Sequence, residues 1–118
     1  MLNKENEKKE LLQTFCFDLQ VPAARAKLIG EEIKEAIVEA EIISGVKSGK
    51  TIEKRKTTIR TLPPETTYFF VSVGTAFVIK FIEKYAEKIG IELATDTTTV
   101  IRESEKYFII WLKKKIGL

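Results

Sequence analysis

Apolar and polar positions along this chain fall into a few long blocks. The clearest is Thr66 to Ile79, TTYFFVSVGTAFVI, which holds no charged residue and four aromatics: Tyr68, Phe69, Phe70 and Phe77. It runs into an amphipathic stretch, Lys80 to Gly90. Phe69, Phe70, Val73, Phe77, Phe81, Ile82, Tyr85 and Ile89 follow the i, i+3, i+4 spacing of a helix, with Lys80, Glu83, Lys84, Glu87 and Lys88 opposite. The spacing predicts one long central helix over about 63–89. Pro63-Pro64-Glu65 suits its first turn and Gly90 its stop. An alternative stays open. Thr66–Val73 is β-branched and aromatic, so a strand at 66–73 could end at Gly74. The helix is then Thr75–Ile89, and the fold is α+β.

The remaining blocks read as three further helices. Residues 4–19 place Leu11, Leu12, Phe15 and Leu19 on one side, with 1–8 frayed for want of anything to bury. Pro22 to Ile43 carries a stripe of Ala26, Ile29, Ile33, Ala36, Ile37, Ala40 and Ile43. Gly30 inside it either admits a close neighbour or marks a kink. A last helix near Thr99–Ile116 turns Ile101, Ser104, Phe108, Trp111 and Leu112 inward. Between the second and central helices lies 45–62, read as an exposed loop. A short strand at 57–60 could pair with 97–101. The expected fold is therefore mainly α: about four helices in a small bundle, one domain over 1–118.

Composition narrows the chemistry. There is no histidine, which removes Ser-His-Asp and Cys-His nucleophiles and every His-containing metal site. The single cysteine, Cys16, excludes an internal disulfide, and among Phe15, Phe17 and Leu19 it reads as an inert core residue. The charged start, with no apolar signal core after it, points to a cytoplasmic protein. Lysine outnumbers arginine 16 to 4 and Asn and Gln number two each, a thermophile-like mix.

Net charge is +3, and its distribution is uneven. Lys47, Lys50, Lys54, Arg55, Lys56 and Arg60 crowd into 45–60 against the single Glu53. Flexible cations of this kind neutralise phosphates and release counterions, so DNA or RNA is the expected partner. No aromatic lies within the segment to stack on bases. The apolar residues Tyr68, Phe69, Phe70 and Val73 are the expected interface of a homo-oligomer. The rows Glu31-Glu35-Glu39 and Lys80-Lys84-Lys88 would meet between copies. A protein-interaction subunit of a larger complex is the alternative. No membrane contact, catalytic residue, resident metal or cofactor is expected.

Two short motifs bear on enzymatic readings. Ser44 to Thr51 comes close to a phosphate-binding G-x-x-x-x-G-K-[ST] loop, but Ser44 stands at the first glycine. Glu31-Glu32-x-x-Glu35 resembles the first half of the metal site of the all-α nucleotide pyrophosphohydrolases. The resemblance implies Mg²⁺ held by Glu31, Glu32 and Glu35. The matching Glu-x-x-Asp is absent, since Ala86 follows Glu83 at i+3 and Gly90 follows Glu87.

Overall fold

The computed structural model describes residues 13–56, 66–90, 92 and 96–118. Its order is β1 (Thr14–Pro22), a single 3₁₀ turn (Ala23–Arg25), α1 (Ala26–Ser44), β2 (Thr51–Lys56), β3 (Thr66–Gly74), α2 (Thr75–Ile89) and α3 (Thr97–Lys115). The strands form one antiparallel sheet in the order β1-β3-β2. This is an α+β fold, not a four-helix bundle.

The long central helix over 63–89 is replaced by the strand alternative. β3 is the middle strand, paired to β1 from Thr14↔Gly74 to Pro22↔Thr66 and to β2 from Thr51↔Ser72 to Lys56↔Thr67. Gly74 keeps extended backbone (φ −67°, ψ 135°) and then α2 begins. The helical first element over 4–19 is also overturned from residue 14 onward. Phe15, Phe17, Leu19 and Val21 alternate with Cys16, Asp18 and Gln20, which is the period of a half-buried strand. The basic segment is not a continuous loop, since 51–56 is β2. The proposed strand at 57–60 lies outside the described residues. Its partner 97–101 belongs to α3, so no ladder forms there.

Odd-numbered residues of β1 and β3 face the helices. Phe17, Leu19, Val21, Phe69, Val71 and Val73 join one buried cluster with α1 (Ile29, Ile33, Ile37), α2 (Phe77, Phe81, Ile82) and α3 (Phe108, Leu112). Phe108 sits at its centre, edge-on to Phe17, Phe77 and Phe81 at 5.8–6.1 Å. Gly30 is explained by this packing. A Cβ there would lie 3.1 Å from the Phe69 ring, so the glycine admits a sheet aromatic against α1. Cys16 is not in the core. It is exposed on the other sheet face, its thiol 3.5 Å from Ser72 Oγ.

Helix ends follow local chemistry. α1 and α2 stop at Gly45 (φ 72°) and Gly90 (φ 74°), left-handed positions that glycine takes without strain. Asp96 caps α3 by accepting from Thr99 N at 3.2 Å and Thr99 Oγ1 at 2.8 Å. Those bonds hold its carboxyl below the ordinary value. No described helix is long and apolar enough to cross a membrane.

Candidate nucleic-acid interface

The residues 45–50 connect α1 to β2 and are held from within. Glu41 Oε2 accepts from both the amide and the hydroxyl of Ser48, each at 2.8 Å. These bonds, helped by Lys50, keep the Glu41 carboxyl below its ordinary value. Ser48 is buried, and its carbonyl accepts from Gly74 N at 2.7 Å. The near-P-loop therefore has the wrong context and an occupied cradle. It follows a helix and opens a strand, the reverse of what phosphate binding needs. The Ser48 amide already serves the chain's own carboxylate.

The predicted cations separate once β2 forms. Lys47 is exposed in the connection. Lys50 Nζ lies 3.5 Å from Glu41 Oε1, which makes it a tether of that connection. Glu53 and Arg55 sit opposite Phe70 and Tyr68 on the sheet face away from the helices. There Arg55 Nη2 is 2.9 Å from Glu53 Oε2, and its guanidinium lies 5.0 Å from the Phe70 ring centroid. The hydrogen bond from Arg55 keeps the Glu53 carboxyl below its ordinary value. Lys54, one residue between them, points to the helix side, opposite Phe69. The side chain of Lys56 and all of Arg60 lie outside what the structure describes.

Lys54 is not alone on its side. It lines a cleft of about 230 Å³ between β2 and α1 together with Lys27, Gly30, Glu31, Lys34 and Phe69. Three cations thus surround one acid, and Glu31 is already 3.6 Å from Lys34 as an exposed i,i+3 pair. Such a pair is weak and easily exchanged. Lys27 and Lys34 were missed by sequence reading as part of a site. Their seven-residue spacing, which puts them on one helix face, was the available signal. The open face of the sheet is less favourable to a polyanion, since Asp18 and Glu53 flank Phe70 there.

Of the four expected interface residues, Phe69 and Val73 are taken up by the chain's own core. Only Tyr68 and Phe70 face outward, half-buried. Some members of the complementary charge rows have partners within the chain. Glu39 Oε1 is 3.0 Å from Lys115 Nζ, and Lys80 pairs along α2 with Glu83 at 3.7 Å. For Glu31, Glu32 and Glu35, the fold is not the all-α one that the pyrophosphohydrolase resemblance implies. Among the described residues, no three acidic, Cys or His side chains are grouped to hold a metal ion. No protein-family model, curated protein or solved structure matches the chain.

Proposed function

We propose that this chain is a non-enzymatic cytoplasmic protein that binds nucleic acid by its phosphates, with little choice of sequence. The observation that supports the reading is the α1–β2 cleft, where Lys54 of the basic strand meets Lys27 and Lys34 of the helix. Lys47 extends the positive charge along the connection, and Lys56 and Arg60 continue the same basic segment. Lys50 contributes less because it is held by the part-buried Glu41, and Arg55 because Glu53 lies 2.9 Å from it, closer than the 3.6 Å between Lys34 and Glu31. Three to four phosphate contacts would give a salt slope of about −3 on a log–log plot.

The test is fluorescence anisotropy with labelled duplex DNA and single-stranded RNA at low and physiological salt. Lys27, Lys34 and Lys54 replaced together by alanine should weaken binding and flatten the slope by about 2–3, with helicity unchanged. Unchanged binding by this variant, or none by the parent at low salt, refutes the reading.

A second reading, self-association or assembly into a larger complex, has its own support. At the end of α1, Val38, Ile42 and Val46 are exposed side by side around a shallow hollow, Ile42 by 78%. Apolar residues grouped like this mark contact surfaces more often than scattered ones do. If they join two copies, light scattering reports a mass that falls on dilution, and Ile42→Lys gives a monomer at all concentrations.

A further inference from the structure

A second concavity lies in the helix layer, far in chemistry from the α1–β2 cleft. Between α2 and α3 runs a groove of about 180 Å³, walled by Tyr85 and Ile89 on one side and Tyr107, Ile110 and Trp111 on the other. Ile89 and Ile110 are 48% and 47% exposed, so their apolar surface has no cover among the described residues. The groove shares Tyr85, Trp111 and Lys114 with a wider basin of about 420 Å³, to which Lys88 and Lys115 also contribute.

The charges at that junction are unbalanced. Among the described residues, Glu39 is the only acid lining the basin. It is engaged by Lys115, whose ammonium lies 5.7 Å from the Trp111 ring centroid. Lys88 and Lys114 form no ion pair among the described residues. The aromatic-walled groove, which Lys114 lines, thus adjoins a basin lined by both Lys88 and Lys114, neither in an ion pair among the described residues.

We infer that this groove binds a small aryl anion. One aromatic ring sits between Ile89 and Ile110 against Tyr85 and Trp111, and its carboxylate or phosphate meets Lys88 and Lys114. The size fits: an apolar protein cavity of about 150 Å³ takes up benzene. A nucleobase is a worse occupant, because beside the Tyr85 and Tyr107 hydroxyls the walls offer only the Trp111 indole N–H and Lys114 for its several ring polar atoms. A second copy is also a worse occupant, since a two-fold contact through this face would bring the lysine groups of the two copies together. The inference is independent of the nucleic-acid reading.

Trp111 is the only tryptophan in the chain, so its emission reports on the groove directly. The full chain is titrated with phenyl phosphate, phenylacetate and uncharged benzyl alcohol, with calorimetry alongside. Both acids should change the emission saturably, and benzyl alcohol should bind at least about tenfold more weakly, the equivalent of one lost charge contact. Whichever acid binds tighter identifies the head group. Lys88→Glu with Lys114→Glu should weaken both acids about tenfold or more and leave benzyl alcohol unchanged. If that variant loses its circular dichroism, Lys88→Gln with Lys114→Gln answers the same question. No saturable change with either acid, equal affinity for benzyl alcohol, or indifference to the lysine changes overturns the inference. So does an emission change that tracks dilution of the protein rather than added ligand, since that would make another copy the occupant.

Discussion

The two faces of β3 differ by one residue of register and by nearly everything else. On the helix side Phe69, Val71 and Val73 are 4%, 0% and 0% exposed. On the other side Tyr68, Phe70 and Ser72 are half-buried, with Gln20, Asp18 and Cys16 of β1 and Arg55, Glu53 and Thr51 of β2 across from them. Phe69 and Phe70 are identical and adjacent, yet one presses on Gly30 of α1 and the other lies under a guanidinium. Burial of a ring in a packed core is worth several kilocalories; partial cover by an exposed ion pair is worth little. Side-chain identity therefore says less about energy here than parity along the strand does.

The largest effect should come from that pair. Phe69→Ala should cost about 3–5 kcal/mol, the range for a buried phenylalanine. Phe70→Ala should cost about 1 kcal/mol or less, since much of that surface stays wet. Urea denaturation of both variants makes the measurement. Equal losses would mean that the second face is covered as well as the first.

The next effect concerns how the covered end of β3 is tied down. Glu41→Gln removes the charge that the Ser48 amide and hydroxyl donate to, and Ser48 in turn holds Gly74. Leaving buried donors poorly paired costs about 1–2 kcal/mol. The sign of its pH dependence follows from the lowered Glu41 value. A carboxyl that ionises more readily folded than unfolded stabilises above the ordinary value of 4.5. That contribution is lost as pH falls through the lowered folded value. The gap between parent and variant in urea midpoint should thus be full at pH 7 and close on acidification below 4.5. A gap that persists in acid would mean that packing, not charge, holds the connection.

The same parity argument explains what could be read from residue order and what could not. α1 and α3 were legible because their apolar stripes are long and strictly helical. β3 was not, because both faces of a middle strand carry large apolar residues and the alternation vanishes. Phe69, Val73, Phe77 and Phe81 then mimic helical spacing by running from a strand into a helix. β2 hid for the opposite reason: an edge strand written Thr-Ile-Glu-Lys-Arg-Lys is polar on both sides and reads as a loop. β1 did show its alternation in Phe15, Phe17, Leu19 and Val21, but Leu11, Leu12, Phe15 and Leu19 offered a competing helix. For the site, Lys54 could be found from local charge. The capture of Lys50 by Glu41 joins residues nine apart through a turn whose shape no spacing reveals. The approach of Lys27 and Lys34 to Lys54 needs the α1–β2 packing itself.

The smallest effect on stability gives the sharpest check of register. A slip of one residue in β1 would exchange its two faces and carry Cys16 into the core. In the register Cys16↔Ser72, the thiol is exposed. Native protein should therefore react with a small maleimide to one label per chain without denaturant, and the labelled chain should keep the parent's urea midpoint within error. A thiol that reacts only through global unfolding would slow the reaction by the folding equilibrium constant, roughly 10³-fold or more for a typical domain. That outcome would put Phe17, Leu19 and Val21 on the outer face and undo the comparison from which the two phenylalanine variants were chosen.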